Sequence, residues 1–170
     1  MNEERIDVSI DVGAGVMATV DHSGLRHAAV AALQVMYDAE KQPPFALDGT
    51  RVEISILVTD DDEIRRLNRE YRGVDRPTDI LSFSLVTDDD GRVEVMPLGE
   101  VQSLGDIVIS HAYASRQATE LGHSAEMELA WLVIHGTLQL VGYSHDTDEA
   151  AQTMEALEHA ALQRLGFTVP

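Results

Sequence analysis

Apolar and polar residues alternate through Ile6, Val8, Ile10 and Val12, the period of a strand with one buried face. The alternation returns at Val52, Ile54, Ile56 and Val58 in RVEISILVTD, which predicts a second strand. Between them SGLRHAAVAALQVMYDAE has helical spacing to about residue 40, with Asp21 or Ser23 as its N-cap, and KQPPFALDGT is a loop. Asp60 is placed to cap a further helix, DDEIRRLNREY, with Glu63 as its capping-box partner. That helix should turn Ile64, Leu67 and Tyr71 inward and leave Arg65, Arg66 and Arg69 outside. RGVDRPTD is a loop by its Gly and Pro, and ILSFSLV and GDIVIS read as two more strands. The intervening TDDDGRVEVMPLGEVQSL reads as an exposed turn centred on Asp90 and Gly91.

Three helices complete the pattern, at about residues 110–121, 124–141 and 147–165. Each stops at a glycine (Gly122, Gly142, Gly166) where a left-handed residue is wanted. The order β-α-β-α-β-β-α-α-α predicts an α+β fold over residues 1–170: one domain, with a small mixed β-sheet of about four strands packed with about five helices.

Composition narrows the class. A chain of 170 residues, 44% hydrophobic and 25% charged, can bury a core without cross-links, and with no cysteine it has neither disulfides nor a thiolate zinc site. The absence of cysteine fits a reducing cytoplasm. MNEERIDVSIDV carries charges of both signs and no apolar core, so it is not a secretory signal. The longest apolar stretch, about residues 129–141, is too short to span a bilayer, so no membrane partner is expected. A net charge of −18 argues against wrapping duplex nucleic acid with the general surface, and no DNA partner is expected. Five of the twelve basic residues nevertheless fall together, at Arg65, Arg66, Arg69, Arg72 and Arg76. They form either a local basic track on an acidic body or an exposed helix face paired with Asp60, Asp61, Asp62 and Glu63.

The chemistry gathers in VIHGTLQLVGYSH. The helix around it is apolar nearly all round, with Met127, Ala130, Trp131, Ile134, Leu138 and Val141 on one side and Leu129, Leu132, Val133 and Leu140 over the rest. His135 and Gln139 therefore stand one turn apart on one face of a buried helix, where polar groups need partners. Gly142 and a short turn let His145 fold back toward that face. A core histidine bonded to a carbonyl is the plain reading; two imidazoles and an amide converging on one point suit a metal better. Gly136 occupies the place of the general-base Glu in H-E-x-x-H metalloproteases, which excludes that mechanism.

HGTLQLVGYSH resembles the H-G-x-L-H-L-x-G-Y-D-H signature of the YbeY family, metal-dependent endoribonucleases of bacterial ribosome maturation. YRGVDRPTDILSFSL resembles that family's Y-R-G-x-D-x-P-T-D-V-L-S-F segment, and LGDIVIS its L-G-D-I-x-I-S strand. These motifs stand in family order over residues 71–145. The resemblance implies a single α+β metalloprotein domain that holds one Zn2+ and hydrolyses single-stranded RNA in the cytoplasm. It also implies action on small-subunit rRNA during maturation and ribosome quality control, with the small ribosomal subunit as partner.

Carried over residue by residue, the metal positions are His135, Gln139 and His145, with Gln139 in place of the second motif histidine and Ser144 in place of the aspartate before the last. Arg72 matches the motif arginine and would stabilise charge on the phosphoryl oxygens; on spacing alone it complements a helix end. Thr78, Asp79, Ser82 and Asp106 are read as turn and strand-register residues.

Gln139 offers only a neutral amide oxygen, a poor donor for a cation that prefers imidazole. It should weaken zinc binding, shift the metal preference or recruit another ligand, with Asp146 nearest in sequence and His111 and His123 further off. Three functions follow: a metal-dependent endoribonuclease, a non-catalytic ribosome-assembly factor with a weakened metal site, or a metal hydrolase of another substrate.

Overall fold

A computed structural model describes residues 3–39, 50–87, 93 and 101–168. In chain order its elements are β1 (Ile6–Val12), α1 (His22–Ala39), β2 (Arg51–Thr59), α2 (Asp61–Arg72), β3 (Ile80–Ser84), β4 (Val101–Ser110), α3 (His111–Leu121), α4 (Ala125–Leu140) and α5 (Asp148–Arg164). This is the predicted order, and the four strands form one mixed sheet arranged β1-β2-β4-β3. β1, β2 and β4 run parallel, and β3 lies antiparallel on β4 as an edge strand. The exposed turn expected around Asp90 and Gly91 lies outside the described residues; beside it, Thr87 and Val93 form an isolated antiparallel bridge.

The strand alternation is realised as read. Val52, Ile54, Ile56 and Val58 are all buried, and in register they continue Ile6 and Val8 of β1 and Ile107 and Ile109 of β4. This apolar face is covered by α1 and α4, whose Leu33, Met36, Leu132, Ile134 and Leu138 are fully enclosed. α4 is the most interior helix, and Gly136 is where it meets the sheet. A Cβ there would lie 2.9 Å from Ile80 Cδ1 and 3.1 Å from Ile107 Cδ1, so the missing side chain lets the helix settle on β3 and β4.

Among the described residues, the opposite face of the sheet is only partly covered. α2 packs over one corner through Ile64, Leu81 and Val108, with Leu57, Leu67 and Phe83 half-buried around them. The inward stripe predicted for α2 is corrected at its end: Tyr71 is 60% exposed and meets the Phe83 ring edge-on, at 5.1 Å between centroids. By its last turn the helix has run past the strand it packs on. The inward polar position is instead Asn68, whose Nδ2 donates to the Arg76 carbonyl at 2.9 Å and fastens the following loop.

Caps follow the sequence signals with two refinements. Asp21, rather than Ser23, caps α1, since Asp21 Oδ1 accepts from the Ser23 amide at 3.0 Å. Asp60 caps α2 through the Glu63 amide at 2.9 Å, but the Glu63 carboxylate turns outward to Arg66 and leaves the capping box half made. Gly122, Gly142 and Gly166 all take positive φ where the three last helices stop. β4 begins earlier than GDIVIS, at Val101, because a bulge at Gly105 (φ 131) keeps it in register with β2. None of the helices among the described residues is long and apolar enough to cross a membrane.

Candidate metal centre

The interior helix α4 carries His135 to the point where the chain comes back on itself. Gly142 adopts φ 94°, a conformation that glycine reaches without the Cβ clash other residues meet, and the chain reverses directly after α4. Tyr143 and Ser144 complete the turn, and the exposed His145 ring stacks over His135, with centroids 5.2 Å apart and planes 19° from parallel. The convergence predicted for these two histidines is therefore present.

A third group joins them. Glu158 on α5 is 4% exposed, and both of its oxygens are engaged. Oε1 lies 2.8 Å from His135 Nδ1, and Oε2 accepts from the Trp131 indole N–H at 3.2 Å. His135, His145 and Glu158 bring one ligand atom each to within 4.8 Å of one another, the set among the described residues able to hold a metal ion. The carboxylate bonded at Nδ1 fixes the ring: a neutral imidazole donating there carries its lone pair on Nε2, free for a cation. Trp131, with its ring 5.2 Å from that of His135, braces the same arrangement.

Gln139 lies one turn after His135 on α4, half-buried, and its side chain makes no hydrogen bond to a described residue. Helix spacing alone puts its side chain on the His135 side of α4. The other proposed replacements go elsewhere. Asp146 is exposed, with its backbone amide 3.4 Å from Ser144 Oγ, and stands outside the converging group. His111 Nδ1 is 3.4 Å from Ser115 Oγ, and His123 Nε2 pairs with Glu128 at 3.0 Å. Two imidazoles with a carboxylate behind one of them fit a borderline divalent cation, and an amide at position 139 would be a weaker third donor than a histidine.

Arg72 does not touch either histidine. Its guanidinium donates to the Ser82 carbonyl at 3.3 Å, on the edge strand β3. Ile80 on that same strand packs against Gly136, the residue after His135, so β3 joins the arginine to the metal helix. Asp79 caps the strand start, accepting from Thr78 Oγ1 at 2.9 Å and the Ile80 amide at 2.8 Å, and its carbonyl takes the Ser110 amide at 2.9 Å. Asp106 pairs in register with Phe83.

The basic run divides into two groups. Arg65 bonds Asp75 at 2.8 Å, and Arg66 reaches Glu63 at 2.8 Å and Glu70 at 2.6 Å. Arg69 lies 3.8 Å from Asp75. Hydrogen bonds from Arg65 and Arg66 hold the Asp75 and Glu63 carboxyls below their usual range. Arg72 and Arg76 have no acidic partner among the described residues.

A second buried carboxylate, Glu128 on α4, is 1% exposed and bonds His123 through Oε2, while Oε1 has no partner among the described residues. Burial pushes its carboxyl up, His123 opposes the rise and Asp79 adds to it.

The family model for Endoribonuclease YbeY matches residues 17–166. A protein named Endoribonuclease YbeY from Roseiflexus sp. is 40% identical over 169 residues, which cover 99% of this chain and 98% of that one. A second from Roseiflexus castenholzii is 52% identical over 120 residues, 69% of this chain and 72% of its own. A third from Geobacillus thermodenitrificans is 43% identical over 116 residues, 68% of this chain and 74% of its own. Among solved structures, the solution structure of TM1509 from Thermotoga maritima shares the fold, with a TM-score of 0.55 at 24% identity over 94% of this chain and 91% of that one. With a sheet, a histidine-bearing interior helix and a full-length match that all agree, this chain belongs to the Endoribonuclease YbeY family.

Proposed function

We propose that this protein is a metal-dependent endoribonuclease that cleaves single-stranded RNA and acts in the cytoplasm on small-subunit rRNA during ribosome maturation. The observation that carries the reading is the pair of converging imidazoles with Glu158 at the Nδ1 of His135. His135 and His145 would hold the cation, zinc by the preference of imidazole donors, with the Gln139 amide oxygen as third ligand. When bound, the ion supplies an activated water near neutral pH and polarises a phosphoryl oxygen. Glu158 keeps the His135 proton on Nδ1, so that Nε2 faces the site. Arg72, pinned to the β3 edge and with no acidic partner among the described residues, offers a fork of N–H donors to the phosphate as negative charge gathers there. The acidic surface keeps bare RNA from binding broadly, which leaves recognition to this local region.

The test is cleavage of a short single-stranded RNA by purified protein, with and without chelator. His135→Ala and Arg72→Ala should each abolish chelator-sensitive cleavage. Equal cleavage by His135→Ala would remove the metal centre from the reaction. Gln139 favours a second reading, a non-catalytic assembly factor of the same family; wild-type protein that stays inactive while Gln139→His cleaves would select it.

A further inference from the structure

Among the described residues, the sheet face that α2 only partly covers carries an open groove of about 540 Å³, lined by Leu57, Leu67, Tyr71, Phe83 and Val108 and by the acids Asp11, Glu63 and Asp106. Its volume falls in the range of small-ligand sites, about 300–1,000 Å³. At its mouth Tyr71 presents a largely exposed ring, braced edge-on by Phe83. Arg72 follows Tyr71 at the end of α2 and Arg76 lies in the next loop, and no described acid neutralises either.

We infer that this groove receives one unstacked base of the single-stranded RNA, laid against Tyr71, while Arg72 and Arg76 hold the adjoining phosphates. The inference rests on the endoribonuclease reading above and extends it to the path of the substrate. Charge sets the polarity of the arrangement. Asp11 and Asp106 repel a phosphate, Glu63 being already paired with Arg66, so the groove takes the uncharged part of a nucleotide and the phosphate stays outside with the two arginines. An aromatic face next to a free guanidinium is the usual combination for holding single strands without sequence preference. Asp106 adds an acceptor that can take a base N–H.

The position is also right for delivery to the histidines. Tyr71 and Arg72 are consecutive and touch consecutive residues of the edge strand, Phe83 on the groove side and the Ser82 carbonyl on the strand itself. The other side of that strand packs on α4 at Gly136, next to His135. A strand of RNA with its base in the groove and its phosphate on Arg72 thus crosses the β3 edge toward the metal helix.

The experiment measures binding of a short single-stranded RNA carrying 2-aminopurine, in chelator, so that the metal centre does not contribute. Tyr71→Ala should raise Kd by roughly 5- to 150-fold, the effect of losing one base–aromatic stack. Tyr71→Phe should stay within about twofold, because the ring and not the hydroxyl does the holding. Arg76→Ala should lower the salt slope of log Kd by about one. Tyr71 is exposed, so circular dichroism of Tyr71→Ala should match wild type. Equal Kd for Tyr71→Ala and wild type would overturn the inference, as would a Tyr71→Phe variant as weak as Tyr71→Ala. Cleavage is read separately, with zinc supplied: wild-type protein that then cleaves the RNA while Tyr71→Ala binds it unchanged in chelator would sink this inference alone, and wild-type protein that neither binds it in chelator nor cleaves it with zinc would sink the endoribonuclease reading as well.

Discussion

Glu158→Gln separates holding the fold from holding the metal. Both carboxylate oxygens receive an N–H, from His135 at 2.8 Å and from Trp131 at 3.2 Å. Glutamine has nearly the same shape but only one acceptor oxygen. The indole is a donor only, so that oxygen must go to Trp131. The new amide N–H then faces His135 Nδ1, which must accept, and the ring proton moves to Nε2. All the hydrogen bonds survive, so stability should change by less than about 1 kcal/mol. The lone pair that a cation needs is gone, however, and losing such an outer partner costs about 10- to 100-fold in metal affinity, about 1.4–2.7 kcal/mol. Glu158→Ala is the contrast: two donors in a site where Glu158 is 4% exposed lose their acceptor, at about 1–3 kcal/mol each. The assay pairs a competitive zinc titration and a urea midpoint with nitrogen NMR of the His135 ring in metal-free protein. A Glu158→Gln variant that binds zinc like wild type, with the proton still on Nδ1, would refute the reasoning.

Three further outcomes follow from the same geometry. Gln139→His adds an imidazole one turn from His135 and should tighten zinc by about tenfold or more, with RNA cleavage rising alongside; an unchanged affinity in the same titration would show that position 139 does not face the ion. Glu128 has its carboxyl raised by burial, so its ionisation opposes folding: the unfolded chain ionises first, near the ordinary value of 4.5, and stability falls as pH rises from there through the raised folded value. Glu128→Gln should therefore gain stability over wild type as pH rises through that window, with little difference below it, and urea midpoints at several pH values would show a flat difference if the burial argument is wrong. Gly105→Ala places a Cβ at φ 131° against the Phe83 carbonyl and should cost about 3 kcal/mol through the β4 bulge, read as a lower urea midpoint; an unchanged midpoint would mean that β3 yields freely.

The sequence carried the sheet and the metal helix clearly because each rests on local periodicity. Val52 to Val58 alternate, and α4 is apolar on nearly every side, so a histidine there had to lie against the core, where His135 is half-buried. His145 was legible because Gly142 marks where the chain can reverse. Glu158 was not identified, although its signal was present: it interrupts the buried stripe of Met154, Leu157, Ala161 and Leu162 on α5. A carboxylate on an apolar stripe demands partners, but nothing local says that they lie on α4. Tyr71 went wrong for a related reason, since helical spacing does not show where the neighbouring sheet ends. The pairing of Arg66 with Glu63 and Glu70 follows from helix spacing, whereas Arg65 with Asp75 depends on the loop path.

The central claim is that His135 and His145 hold a catalytic ion despite Gln139. Zinc content per chain, by elemental analysis of folded protein loaded with zinc and dialysed against metal-free buffer, tests it most directly. The account predicts close to one zinc per chain in wild type and almost none in His135→Ala. A folded wild-type protein that retains no zinc would contradict it.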